Sequence, residues 1–213
     1  MKNNDYVLKI IVLAAGKSER FNDIKLLAKV KQRNNSTTLI EHVLHQISNA
    51  MDLLTINETN LLVATGGYHP QIAQLIGKQF SLNYCENAHY GIGHTIAQSV
   101  EKIVGNGDKT SHIMITLADQ IALNCNDYTS LIKQSLITPE KLICAKSEQE
   151  IMPPAIFPSD YFSDLMSLTG DRGAKSILYA NQGNREDVIL PNAAIDIDTK
   201  HDLINWQKQY IVS

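Results

Sequence analysis

Apolar and polar positions change rhythm at regular intervals along the chain. Residues 7–13 read VLKIIVL, a β-branched, almost continuous apolar run of the kind found in a strand covered on both faces, and Ala14-Ala15-Gly16 close it. From Leu39 to Met51 the apolar residues Leu39, Ile40, Val43, Leu44, Ile47 and Met51 recur at helical spacing. They follow Ser36-Thr37-Thr38, with Glu41 in the first turn, so an amphipathic helix is predicted there. A second buried strand is read at 60–65 (NLLVAT), closed by Gly66-Gly67, and Pro70 opens a helix running through Ile76. Further strands are read at 81–85, 113–117 and 142–145, interleaved with helices at about 95–104 and 128–137.

Such alternation specifies right-handed crossovers and a mainly parallel, doubly wound sheet with helices on both faces, an α/β fold of three layers. Past Glu148 the rhythm breaks. Pro153-Pro154 precede a short apolar AIF, and helical stretches near 161–168 and 174–180 flank Gly170-Asp171-Arg172-Gly173. This reads as a C-terminal insertion over about 148–190, within one domain spanning 1–213. A strand at 194–197 and a helix from Thr199 to Tyr210 end the chain. The polar connection Lys29–Thr38, with Gln32-Arg33-Asn34-Asn35 at its tip, is expected to be mobile.

Composition narrows the partners. The chain has 213 residues, 44% hydrophobic and 19% charged, which suits a globular domain and excludes disordered or fibrous classes. A formal charge of -3 offers no basic excess for a nucleic acid. The early apolar run is too short for a membrane span or signal-peptide core, so a cytoplasmic protein with no membrane partner is expected. Cys85, Cys125 and Cys144 are widely spaced with no CxxC pair, and buried thiols are their simplest reading. His42 and His45, three apart, are read as a solvated helix face.

In open parallel sheets, ligands bind beyond the carboxyl ends of the strands, so the residues after each strand carry the chemistry. Leu13-Ala14-Ala15-Gly16 brings small residues to the end of the first strand, and Lys17, Arg20 and Lys25 follow. Small side chains let backbone N–H groups approach an anion, and three cations would offset a triphosphate; the alternative is a solvated basic turn. Gly16-Lys17-Ser18 mimics the tail of a P-loop, but Ile11 stands where that motif requires glycine. Gly91-Ile92-Gly93 lacks the third glycine of a dinucleotide fingerprint, Ile96 occupying its place. Asp119 follows the 113–117 strand and is read either as a hard oxygen ligand for Mg²⁺ or as a turn cap. In Asp196-Ile197-Asp198-Thr199, Asp196 and Asp198 would share a strand face; Asp198 stands where it would cap the last helix, which leaves Asp196 as the better second metal ligand.

Together these strings resemble the MobA/MocA-like molybdopterin nucleotidyltransferases, and most of all the CTP:molybdopterin cytidylyltransferase type, over nearly the whole chain. Leu13 to Arg20 (LAAGKSER) with Lys25 is similar to the family's LAAGxSxR…K signature, and Gly91-Ile-Gly-His-Thr95 to its GxGxS turn. Leu117-Ala-Asp-Gln120 resembles LxDMP, Pro153 to Phe157 resembles GxPxxF, Gly170 to Lys175 (GDRGAK) resembles GDxGAR, and Asp196-Ile-Asp-Thr199 matches DIDT. The resemblance implies a Rossmann-like fold of the nucleotide-diphospho-sugar transferase (GT-A) type. It also implies Mg²⁺-dependent transfer of a nucleoside monophosphate from an NTP to a small phosphorylated acceptor such as molybdopterin, with release of pyrophosphate. Lys17, Arg20, Lys25 and Asp119 would be catalytic, and Asp119 and Asp196 would hold the metal. Leu13, Ala14, Ala15, Gly16, Lys17, Gly66, Gly91, Gly93 and Thr95 would bind the nucleotide. Asp171, Arg172 and Lys175 would bind the acceptor on the side built by 148–190, although a structural turn explains GDRGAK equally well. Ala15, where guanylyl-transferring relatives show a second glycine, favours CTP.

The sequence departs from the pattern at Phe21-Asn22, Gln120-Ile121, Met152 and His94, the last at a position where a small residue or serine is common. A molybdoenzyme partner is a further expectation. A second reading is a non-catalytic accessory protein of the same fold that binds nucleotide or molybdenum cofactor without turnover.

Overall fold

The computed structural model describes residues 6–17, 19–21, 23–31, 36–56, 60–107 and 109–210. Ser18, Asn22 and the 32–35 tip lie outside the described residues.

The first strand, β1 (Leu8–Ala14), shows how the layers arise. Its alternate side chains enter two different cores: Ile10, Val12 and Ala14 on one face, Ile11 and Leu13 on the other. Helices α1 (Leu39–Leu53), α2 (His69–Ile76), α4 (Cys125–Ile137) and α7 (Lys200–Tyr210) contribute to the first core. Helices α3 (Ile92–Gly105), α5 (Phe162–Met166) and α6 (Lys175–Ala180) contribute to the second. The predicted start of α1 is realised as a capping box, with the Thr38 hydroxyl accepting from the Glu41 amide and the Glu41 carboxylate accepting from the Thr38 amide at 2.8 Å.

The remaining strands are β2 (Lys29–Lys31), β3 (Ser36–Thr38), β4 (Leu61–Thr65), β5 (Ser81–Tyr84), β6 (His112–Leu117), β7 (Leu142–Ser147), β8 (Glu150–Pro158) and β9 (Arg185–Ile189). Seven form one sheet in the order β5-β4-β1-β6-β8-β7-β9, while β2 and β3 pair antiparallel as a small ribbon. The described ends of the polar 29–38 connection are therefore this ribbon. β1 pairs in parallel with both β4 and β6. The chain winds outward through β4 and β5, then crosses back to β6, so the strand order reverses between β1 and β6. Their carboxyl ends define the crevice where such sheets receive ligands. The fold is a Rossmann-like, mainly parallel αβα sandwich.

The C-terminal half departs from its reading. The 148–190 stretch contributes two strands to the main sheet: β8 runs antiparallel between β6 and β7, and β9 pairs in parallel with β7. Pro153 and Pro154 disguise β8. Neither has an N–H for the ladder, and the register with β7 shifts there from Ala155↔Cys144 to Met152↔Ala145. The expected strand at 194–197 is absent; a 3-10 turn at Pro191–Ala194 leads into extended, unpaired backbone. His42 is half-buried, its ring edge-on to Trp206 at 5.8 Å, so only His45 of that pair lies on a solvated face. Cys85 and Cys144 are buried and Cys125 half-buried. Among the described residues no helix is long and apolar enough to cross a membrane.

Candidate active site

The loop after β1 is anchored from two sides. The Tyr68 hydroxyl, ahead of α2, donates to the Lys17 carbonyl at 3.0 Å. Beneath it Gly66 is buried, and a side chain there would stand 3.1 Å from Ala15 and from Ala88. Gly66, which the resemblance implied as a nucleotide contact, is thus a packing position under the loop and does not line the cavity described below. Gly16 differs: a Cβ there would meet nothing within 4 Å, and its backbone borders open space.

Beyond that loop the chain forms a short 3-10 turn at Lys25–Leu27, which buries Leu26 and carries Lys25 inward until its side chain is 13% exposed. The ammonium of Lys25 meets Asp119 Oδ2 at 2.7 Å and lies 3.9 Å from Asp198 Oδ1. Arg20 donates from its guanidinium to Asp198 Oδ2 at 2.8 Å. Two cations from the β1 loop and two carboxylates, from the end of β6 and from the segment before α7, therefore form one network.

Asp119 is held there by its neighbour. Gln120 is buried; its amide NH₂ donates to the Pro153 carbonyl at 2.7 Å and to the Ala193 carbonyl at 3.4 Å, and its oxygen accepts from Thr116 and from the Leu117 amide. One side chain thereby links the end of β6, the proline bulge of β8 and the segment leading to Asp198. In the sequence the only trace of this role is the departure from LxDMP at Gln120-Ile121.

Asp198 is the residue that the helix-cap argument ranked second. The helix cap belongs to its successors: Thr199 and Asp202 form a reciprocal pair, with the Asp202 amide donating to Thr199 Oγ1 at 3.1 Å and Asp202 Oδ2 accepting from the Thr199 amide at 2.8 Å. That leaves the Asp198 carboxylate to Arg20 and Lys25. Asp196 is exposed and stands apart from the cavity wall. Its carboxyl is nevertheless pushed above the ordinary carboxylate value, first by partial burial and then by the negative charges of Asp119 and Asp198. The three carboxylates therefore feel one another, with Asp119 and Asp198 innermost.

These groups open onto a cavity of about 690 Å³, within the range of small-molecule sites. Its walls include Leu13, Ala14, Ala15, Gly16, Lys17, Arg20 and Lys25 from the first segment, Gly91 and Thr95 from the start of α3, and Asp119 and Asp171. Asp198, ranked behind Asp196 from the sequence, lines it as well, as do Leu26, Ala88, His89, Ile92 and Leu117, which were not anticipated. Gly93, Arg172 and Lys175 do not line it. A Cβ on Gly93 would stand 2.7 Å from the Arg172 carbonyl oxygen and 2.9 Å from Thr169 backbone, so that glycine admits the 169–172 turn. Lys175 pairs with Glu150 at 3.5 Å and lies over the Tyr179 ring, and Arg172 is exposed.

Among the described residues no group of three His, Cys, Asp or Glu side chains is gathered as a closed metal site. Asp119 and Asp198 are two convergent hard-oxygen donors, which suits a cation that completes its shell with phosphate oxygens and water.

A family model for the MobA-like NTP transferase domain matches residues 10–186. The purine catabolism protein PucB of Bacillus subtilis (strain 168) is 30% identical over 173 residues, covering 81% of this chain and 80% of PucB. The fold is similar to that of Rv0371c from Mycobacterium tuberculosis H37Rv, with a TM-score of 0.76 at 18% identity over 96% of this chain and 99% of that one; Rv0371c has also been solved in complex with manganese. It is similar too to a CMP:2-keto-3-deoxy-manno-octonic acid synthetase complexed with CTP, with a TM-score of 0.67 at 14% identity over 95% of this chain and 98% of that one. The protein belongs to the MobA-like NTP transferase domain family.

Proposed function

We propose that this NTP transferase moves CMP from CTP to the phosphate of molybdopterin, releasing pyrophosphate. The observation that carries the reading is the placement of Lys25 and Arg20 against Asp119 and Asp198 on the wall of one cavity.

Gly16 backbone and the side chains of Lys17 and Arg20 would receive the triphosphate, since they border the cavity at the end of a parallel strand and match its charge. A divalent cation, Mg²⁺ or Mn²⁺, would be held by Asp119 and Asp198 and would supply charge neutralisation at the phosphates. Asp196, the second ligand expected from sequence, would act from outside that pair by adding negative potential. The acceptor phosphate is itself a nucleophile, so these residues need only orient and neutralise. Among the described residues the cavity wall correspondingly presents no nucleophile–base pair of the Ser–His or Cys–His kind. Asp171, from the 148–190 stretch, would face the acceptor. CTP is favoured by Ala15 and by the CTP-bound neighbour.

The test is pyrophosphate release from each of the four NTPs, with and without molybdopterin and with Mg²⁺ or Mn²⁺. Release from CTP that requires both molybdopterin and metal supports the proposal. Nucleotide binding with no release in any combination would favour the accessory-protein reading.

A further inference from the structure

The turn at Thr169–Arg172 joins α5 to α6 and places Asp171 on the cavity wall, yet it touches no strand of the sheet through the hydrogen bonds of its central residue. Both backbone polar groups of Gly170 are instead bound by the first turn of α3. The Gly170 carbonyl accepts from the Gly93 amide at 2.9 Å, and the Gly170 amide donates to His94 Nδ1 at 3.0 Å. Gly170 has φ of +60°, a left-handed conformation that turns both groups towards α3.

Three features make this contact specific. Helix α3 has Gly91 as its N-cap and so no side-chain cap; its first amides need an outside acceptor, and the Gly170 carbonyl supplies one. Gly91 and Gly93 leave room for it: a Cβ on Gly91 would stand 2.3 Å from the Gly170 carbonyl group and 2.7 Å from Asp171 Oδ1. The Gly170 amide, by contrast, is satisfied by a side chain, the ring of His94. Because His94 accepts through Nδ1, its ring proton sits on Nε2, and the ring is half-buried 5.6 Å from Tyr90.

We propose that His94 is a positioning residue: its Nδ1 latches the 169–172 turn onto the start of α3 and so fixes Asp171 on the acceptor side of the cavity. The assignment of that side rests on the proposed function; the latch itself does not. Alanine at 94 leaves the Gly170 amide without its partner while sparing the Gly93–Gly170 bond. Asparagine restores an acceptor at the same distance from Cβ as Nδ1, whereas leucine fills the space with no acceptor.

The experiment compares His94→Ala, His94→Asn and His94→Leu in the full chain. Amide hydrogen exchange is read over 169–173, and KM for molybdopterin and for CTP is measured separately. The latch predicts exchange about tenfold faster in the Ala and Leu variants, the size expected for one lost hydrogen bond, and near-wild-type exchange in the Asn variant. KM for molybdopterin should rise severalfold in Ala and Leu and return in Asn, with KM for CTP unchanged. Wild-type exchange in His94→Ala, or equal loss in Ala and Asn, would overturn the proposal. If wild-type protein shows no turnover with molybdopterin, the proposed acceptor has failed and the exchange comparison alone decides the latch.

Discussion

Lys25 and Asp119, 94 residues apart, meet at 2.7 Å on the wall of the cavity between β1 and β6. The pair is the meeting point of two segments that the fold brings together only because the strand order reverses there. A lysine that neutralises two carboxylates competes for the oxygens that would hold a divalent ion. Lys25→Met should therefore move two measurements in opposite directions. Turnover should fall by about 10²- to 10³-fold through lost charge stabilisation. Mn²⁺ affinity of the protein without nucleotide, read by paramagnetic resonance or calorimetry, should rise. A parallel fall in both would place Lys25 among groups that support the metal.

The carboxylates are ranked by geometry. Asp119→Asn and Asp198→Asn should each abolish metal-dependent pyrophosphate release, whereas Asp196→Asn, outside the cavity wall, should retain a substantial part of it. Steady-state assays over a metal titration check this order; Asp196→Asn proving the most damaging would restore the ranking expected from sequence.

That ranking shows where the sequence was legible and where it was not. β1, β4 and β6, with Gly16, Lys17, Arg20, Lys25 and Asp119, could be read because buried parallel strands are continuous apolar runs and their ends are where ligands bind. Asp198 was placed second because it stands where it would cap the last helix, and the capping of Thr199 by Asp202 cannot be seen from Asp198's position alone; the strand expected at 194–197, which put both carboxylates on one face, is unpaired chain. β9 was missed since its Arg185-Glu186-Asp187 start is charged, and those charges are matched across an edge by Lys141 and Lys146. At Gly66 and Gly93 a sequence shows that backbone must come close without showing to what, and the close neighbours are Ala15 and Ala88 at the first and the 169–172 turn at the second.

The two glycines near the cavity are separable on that basis. Gly93→Ala drives a Cβ to 2.7 Å from the Arg172 carbonyl oxygen, a rigid backbone neighbour, and should cost about 1–3 kcal/mol in urea unfolding. Gly16→Ala meets nothing within 4 Å and should leave stability within about 0.5 kcal/mol while weakening CTP binding.

At the far edge, Asp187 accepts from Arg185 at 2.7 Å, from Lys146 at 3.1 Å and from the Cys144 thiol at 3.5 Å. Partial burial pushes its carboxyl up, but Arg185 and Lys146 outweigh that and hold it below the ordinary 3.8. Cys144, buried and beside this anion, is pushed up to about 12 and stays a thiol. A depressed carboxyl contributes stability that is complete above 3.8 and lost as pH falls through its folded-state value. Asp187→Asn should therefore cost about 1–3 kcal/mol near neutrality, and the gap to wild type should close below pH 3.8. Denaturant unfolding at a series of pH values checks the sign; a gap that widens in acid would refute it.

The central claim is that one cavity gathers a triphosphate cradle and a two-carboxylate metal site. Anomalous diffraction from crystals grown with CTP and Mn²⁺ tests it most directly. The account predicts a manganese peak between Asp119 and Asp198, with the triphosphate running along Gly16, Lys17 and Arg20. Manganese bound elsewhere, or CTP seated away from the loop after β1, would contradict it.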